Sequence, residues 1–410
     1  MRRRHRRPGR HIRTSILSGL AIFLAAILAY GTYAVVAPVP PVEAQESTSS
    51  IQGRPATVTW PSRGVAAVGV VGADGLIAQH GSNSSIPTAS MAKTVTALVL
   101  LAKKPLSGPT DEGPKITFTA KDLAIEKQVI KNDGSWAPVK PGVAMTERQA
   151  LEAMLLPSAN NYAISLADWA FGSVSAFTRS ANAWLGRRGI THTHMADASG
   201  LSANTRSTPA DLVAIGKLVR ANAVLSSIVA TKKATVPGAG TLHNTNGVLG
   251  VDGIDGVKTG STKAAGYCLM FSTTVTKDSH TVTIVGVVAG EPSFSRLFSD
   301  VTKLVASLRS GFREVDLAGP GITVGEYQTP WGQAIPLVVA TPTTALVWSN
   351  THVTVRIVTR TVTTAPAGTT VGAVTFRVGR QVLASRTVQL GSALGPPPLT
   401  WLLAHPPERR

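Results

Sequence analysis

From Thr14 to Val42 the chain carries no charged residue, and Ser15 to Ala37 gives 23 mostly apolar positions. A run of that length crosses a bilayer as one helix. Seven arginines precede it within MRRRHRRPGRHIR and none follows it closely, which orients residues 1–14 to the cytoplasm and everything beyond 37 to the outside. The segment 15–37 therefore reads as a retained transmembrane anchor. The small-residue site Val42-Glu43-Ala44, before Gln45, leaves a cleaved export signal and a secreted protein as the alternative. Outside the cell a chain this long often carries disulfides, yet Cys268 is the only cysteine, so its core must be stable by packing alone.

The net charge of +18 is partly this basic terminus; about +11 remains over the rest. Such an excess suits an anionic membrane or wall polymer. No helix-turn-helix, zinc-finger or RNA-binding signature accompanies it, which argues against nucleic acid as a partner.

Residues 45–56, QESTSSIQGRPA, are polar and small, and 38–56 reads as a linker. Strand-like runs follow at 56–60, 65–72 and 76–80. Helical patterns dominate the middle: one beginning near Ser90, one opened by the capping-box spacing Thr146-Glu147-Arg148-Gln149, then about 160–171, 174–186 and 209–221. After 255 strands return, with GYCLMFSTTV and HTVTIVGVVAG joined by Lys277-Asp278-Ser279 as a hairpin. Phe294, Leu297, Phe298, Val301, Leu304, Val305 and Leu308 then mark an amphipathic helix. Helices bracketed by strands predict an α+β fold, an antiparallel sheet flanked by helices, over 57–315. Val353, Val355 and Ile357 alternate with polar residues, predicting a small all-β domain over 316–395. A tail, 396–410, closes the chain, too short in its apolar part to span a membrane.

One lysine is out of place in this pattern. In PTASMAKTVTALVLL, Lys93 sits on an apolar helix three residues after Ser90, on the same face. Lysine is rarely buried without a partner. A serine beside a desolvated amine is one way to make a hydroxyl nucleophilic; the plain alternative is a cap at Ser90 and a lysine reaching the surface. Two further motifs decide between them. Ser158-Ala159-Asn160 follows 68 residues after Ser90, and Lys258-Thr259-Gly260 a further 100 on. The triplet Ser-Ala-Asn recurs at Ser180 and Ser202, but the first recurrence falls in a helical pattern and the second in a loop, so Ser158 is preferred.

In order and spacing the three motifs resemble the signature of the penicillin-recognising serine acyl-transferases. LPSANNYA, DASGLS and HNTNGVLGVDGIDGVKTGSTKAAGYCL extend the likeness to the low-molecular-mass penicillin-binding proteins, the serine D-alanyl-D-alanine carboxypeptidases of cell-wall synthesis, over about residues 55–315. The resemblance implies Ser90 as nucleophile, Lys93 as base, Ser158 and Lys258 as a proton relay, and Asn160 as a holder of a substrate amide. Lys258, Thr259, Gly260 and Ser261 would bind the peptide, with Thr259 and Arg296 candidates for its terminal carboxylate. Backbone N–H groups of Ser90 and Ser261 are the oxyanion candidates. No cofactor is implied, and the pair His192 and His194 lacks the neighbours of a metal site.

The substrate class implied is the peptidoglycan stem peptide, with β-lactams as acylating inhibitors. Two alternatives share the fold. A class A β-lactamase needs a glutamate beyond the second motif, and GITHTHMADASGLS contains none. A non-catalytic wall-binding scaffold does not need all three motifs intact. Exopeptidase and endopeptidase action are not separable here.

Overall fold

The computed structural model describes residues 9–42, 44–45, 50–51, 55–349 and 351–405. Residues 1–8 of the basic terminus, 43, 46–49 and 52–54 of the linker, 350, and 406–410 of the tail lie outside them. A five-stranded antiparallel sheet organises the centre. Its strands are β1 (Val65–Val70), β2 (Ala78–His80), β3 (Ile254–Thr262), β4 (Gly266–Lys277) and β5 (His280–Glu291), in the order β3-β4-β5-β1-β2. Burial of both faces explains the unbroken apolar runs Tyr267–Phe271 in β4 and Ile284–Ala289 in β5. Leu269 and Phe271 pack to one face, Met270 to the other.

α1 (Gly9–Val36) is the apolar N-terminal helix; its window Ser15–Val36 has a mean hydropathy of 2.0 and is 6% buried. One face of the sheet carries a helical layer that includes α2 (Ala92–Lys103), α3 (Ala120–Lys131), α4 (Glu147–Leu155), α5 (Asn160–Phe171), α6 (Val174–Arg187), α7 (Pro209–Ala221) and α8 (Ala223–Val229). α4 has the anticipated capping box: Gln149 N–H donates to Thr146 Oγ1 at 3.1 Å, and Thr146 N–H to Gln149 Oε1 at 3.0 Å. Gly216 lets α7 lie on the sheet, since a Cβ there would come within 2.6 Å of Val285 Cγ1. The opposite face is covered by α9 (Phe294–Gly311), through Leu297, Val301, Leu304, Val305 and Leu308.

Residues 56–60 depart from expectation: they alternate as a strand should but pair with none. Ala56, Val58 and Trp60 pack into the α9 layer instead, and Thr59 N–H donates to Ser307 Oγ at 2.9 Å. α3, between the Ser90 helix and α4, was not visible as an apolar periodicity, because among its residues only Glu126 and Val129 are buried.

Beyond residue 311 the chain is a β structure with its own core around Tyr327, Leu337, Val353, Val374, Phe376 and Val388. Its strands are β6 (Phe312–Ala318), β7 (Thr323–Gln328), β8 (Ala334–Val338), β9 (Thr343–Trp348), β10 (Val353–Thr359), β11 (Thr370–Val378) and β12 (Gln381–Leu390). The stretch read as a free linker enters this sheet. Ala44–Gln45 pair with β7 and Ser50–Ile51 with β10, giving the order 44–45, β7-β8-β12-β11-β10, 50–51. Unpaired edges of β7 and β10 accept any extended backbone, which polar composition does not prevent. The tail forms α10 (Leu399–Ala404) against the C-terminal end of α1, where Tyr30 Oη donates to the Leu403 carbonyl at 2.8 Å.

Candidate active site

Ser90 lies in a single 3₁₀ turn, Ala89–Met91, at the mouth of α2. The turn begins with Ala89 at φ 45°, a left-handed conformation that a residue with a Cβ rarely adopts. Close packing holds it there. A Cβ on Gly200 would sit 1.8 Å from the Ala89 carbonyl oxygen, and one on Gly260 would sit 3.0 Å from the Ser90 nitrogen. Two glycines thus let the 197–201 loop and strand β3 close on the nucleophile from either side.

Lys93 follows one helical turn later and is fully buried. Its Nζ lies 2.8 Å from Ser90 Oγ, 2.6 Å from Asn160 Oδ1 and 2.9 Å from the Ser199 carbonyl. Burial drives its pKa well below the ordinary lysine value, helped by the nearby Lys258 cation and opposed by Asp197. Nζ thus meets three acceptors; an amine that has lost its proton has only two N–H groups, and with these on Asn160 and Ser199 its lone pair is left for the Ser90 hydroxyl.

Asn160 is the first residue of α5, its backbone N–H donating to the Ser135 carbonyl at 2.7 Å. Gly134 makes room for it; a Cβ there would lie 2.7 Å from Asn160 Nδ2. Ser158, two residues earlier, stands at φ 66° in the turn between α4 and α5 and is 6% exposed. Its hydroxyl takes none of the three bonds of Lys93 and has no hydrogen-bond partner among the described residues.

Lys258 and Thr259 lie on β3, each 2% exposed. Burial lowers the Lys258 pKa to about 7. Its Nζ reaches Thr259 Oγ1 at 3.4 Å, and Thr259 Oγ1 lies 2.5 Å from Thr245 Oγ1. β3 is the sheet's edge strand, paired with β4 on one side and facing the Ser90 turn on the other. An exposed Ser261 marks where this free edge opens to solvent.

Arg296 is placed differently. At the start of α9, its Nε donates to Asp300 Oδ2 at 2.8 Å and its Nη2 to Ser62 Oγ at 2.9 Å, with no bond to the Ser90 cluster. His192 stands 3.8 Å from Asp211.

Several contributors were not singled out from sequence. Asp197 accepts from Ser199, Gly200, Leu201 and Thr205, and so shapes the loop that offers the Ser199 carbonyl to Lys93. The stretch DASGLS stood out, but nothing in it indicated that a backbone oxygen would be the functional atom. Thr245 lies in the quoted stretch HNTNGVLG, which marked no role for it, and Gly134 gave no signal.

The family model for D-alanyl-D-alanine carboxypeptidases matches residues 72–291, a stretch that holds every residue of this cluster. The chain belongs to the D-alanyl-D-alanine carboxypeptidase family. It is a serine hydrolase of that family. The carboxypeptidase of Streptomyces sp. (strain K15) is 31% identical over 236 residues, 53% of this chain and 77% of that protein. The crystal structure of the Streptomyces K15 DD-transpeptidase superposes with a TM-score of 0.53 at 27% identity, covering 63% of this chain and 98% of the other. Penicillin-binding protein 5 from Haemophilus influenzae, at 19% identity, shares the fold over 83% of this chain and 99% of its own, with a TM-score of 0.58. The carboxypeptidase is thus an α+β penicillin-binding-protein fold with an N-terminal apolar helix compatible with membrane anchoring and a strand-rich C-terminal region.

Proposed function

We propose that the carboxypeptidase is held by α1 with its catalytic part, residues 57–315, on the outer face of the membrane, and trims the terminal D-alanine from peptidoglycan stem peptides. The substrate enters extended along the free edge of β3, where main-chain hydrogen bonds align it. Ser90 Oγ attacks the carbonyl of the penultimate D-alanine as Lys93 takes its proton. The oxyanion forms between the backbone N–H groups of Ser90 and Ser261, each such donor being worth about 3 kcal/mol. The C–N bond breaks, and the proton passes by way of Ser158 and Lys258 to the departing amine. Asn160 holds Lys93 and a substrate amide, while Lys258 and Thr259 receive the terminal carboxylate. Water then cleaves the acyl-enzyme ester and returns Ser90. β-Lactams enter the first half of this sequence and remain bound, because their amine cannot diffuse away.

The observation that carries this reading is the environment of Lys93: a buried amine with two acceptors for its N–H bonds and a serine hydroxyl 2.8 Å from its nitrogen. Intact-mass spectrometry of the full chain with benzylpenicillin tests it. A persistent adduct, absent in Ser90→Ala, followed by D-alanine release from a pentapeptide, is the expected result. Rapid loss of the drug without an adduct would mean a β-lactamase, and an unlabelled protein with intact drug would mean a scaffold.

A further inference from the structure

The carboxylates of this chain are unevenly spread. All 22 Asp and Glu residues lie outside the span Tyr327–Pro407, which carries five arginines and no lysine. The span forms most of the C-terminal sheet, and the register of its strands decides where those arginines go. Val353, Val355 and Ile357 on β10 are buried, so Thr354, Arg356 and Val358 occupy the opposite, outward face. On β11, Arg377 pairs with Thr354 and Thr375 with Arg356. On β12, Ser385 pairs with Thr375 and Thr387 with Ala373. Arg360 follows β10 with the same parity. The outward face therefore carries arginine and hydroxyl groups across three adjacent strands, interspersed with the exposed Val358 and Val382.

These arginines are not spoken for by carboxylates. Arg356 has no hydrogen bond or ion pair among the described residues. Arg360 donates to the Thr370 carbonyl and Arg377 to the Arg380 carbonyl, at 3.3 and 3.4 Å, neither of which neutralises charge. The other two differ: Arg380 pairs with Asp74 at 2.7 Å, and Arg386, exposed but opposite buried Val374 in register, donates to Thr343 Oγ1.

The patch is remote from the cleft. Ser261 pairs with Tyr267 at one end of β4, whereas the C-terminal region meets the other end of the catalytic sheet: the separate β6–β9 pair does so where Lys277 Nζ donates to the Phe312 carbonyl and His280 bonds Thr344, and the patch-bearing sheet where Arg380 pairs with Asp74 beyond β1. At about 3.3 Å per residue, the length of β4 separates them by roughly 30 Å. That is too far for one stem peptide to touch both, and well suited to a polymer that bears many.

We propose that this face, centred on Arg356, Arg360 and Arg377, is a second binding surface for the peptidoglycan polymer itself. The proposal rests on the carboxypeptidase reading, because the uncleaved stems of such a polymer all end in carboxylates and so make it a polyanion. Guanidinium groups pair with carboxylates in a matched planar geometry, and the serine and threonine hydroxyls suit sugar oxygens. Weak contacts here raise the effective concentration of stems at the cleft without entering it.

The test uses the full chain in a neutral detergent, its active site first blocked with benzylpenicillin, sedimented with purified insoluble peptidoglycan at low and high salt. The blocked protein is expected to co-sediment at low salt and release at high salt. Arg356→Gln/Arg360→Gln/Arg377→Gln should lose about tenfold in binding, Arg356→Lys/Arg360→Lys/Arg377→Lys should retain most of it, and all should take up penicillin equally. Equal sedimentation of the Gln variant and the wild type, or no sedimentation of the wild type, overturns the proposal. So does a wild type that ignores peptidoglycan but is captured by mixed micelles of phosphatidylglycerol, which would make the lipid surface the partner. Failure of penicillin to label would instead sink the carboxypeptidase reading, and the arginine comparison would still be readable on unblocked protein.

Discussion

The cleft and the C-terminal sheet both hold cations without carboxylate partners, and they put them to opposite use. In the cleft, Lys93 and Lys258 are sealed from water, so burial favours their neutral forms and turns an amine into a base. On the outward face of the sheet, Arg356 stays in water, where guanidinium remains charged at any pH a cell meets. Arginine would be useless as the base and lysine would be a poorer matched fork for carboxylates. The difference teaches that the function of a cation is set by its solvation before it is set by its neighbours.

The sharpest way to break the comparison is to remove the base. Lys93→Ala should slow acylation by benzylpenicillin about 10³-fold or more, within the range of a lost general base, while circular dichroism remains that of the wild type. An unchanged rate would show that Ser90 is activated by something else. A smaller effect is expected at Gly260→Ala, whose Cβ would lie 3.0 Å from both Ala89 Cβ and Ser90 N. Pushing β3 from the nucleophile should slow acylation about tenfold, since misplacement of this order misaligns oxyanion donors. Stopped-time labelling with a fluorescent penicillin measures both.

Stability should follow pH with a sign fixed by the same burial. The Lys258 pKa is depressed to about 7 in the folded chain from an ordinary 10.5. Between those values the unfolded chain binds a proton that the folded chain does not. The charged form's penalty is therefore present in full below about pH 7 and is relieved as pH rises, so the unfolding free energy should increase with pH by at most about 1.4 kcal/mol per unit. Lys93, lowered in the same direction, adds to the slope. Lys258→Met should remove one proton's share, read from urea unfolding across that window. No change in slope would mean that Lys258 keeps its charge when folded.

How much of this was legible follows the range of the interactions. The alternation Val353, Val355, Ile357 is local, and so the β character of the C-terminal region could be read directly. The hairpin of β4 and β5 was readable for the same reason, its turn falling at Asp278-Ser279. Ser90 and Lys93 were visible because a lysine contradicts an apolar helix. The Ser199 carbonyl was not, because any residue supplies a carbonyl and only the Asp197 loop aims it. Nor could composition reveal that residues 44–45 and 50–51 close the edges of the C-terminal sheet, since edge pairing uses backbone alone.

Arg296 lies between the two regimes, and the smallest effect is expected there. Its side chain is 46% exposed and its guanidinium is bound to Asp300, which is only 5% exposed. If the pair serves α9, Arg296→Ala strands a buried carboxylate and lowers stability by about 1–2 kcal/mol, while kcat/KM on a D-alanyl-D-alanine peptide changes less than about threefold, roughly half a kcal/mol. If instead the guanidinium leaves Asp300 to meet the substrate's terminal carboxylate, KM rises at least about tenfold, because that contact is made in ground and transition states alike. Asp300→Asn separates the two roles. It loosens the ion pair without touching the arginine, so it should lower stability in the first case and improve peptide binding in the second.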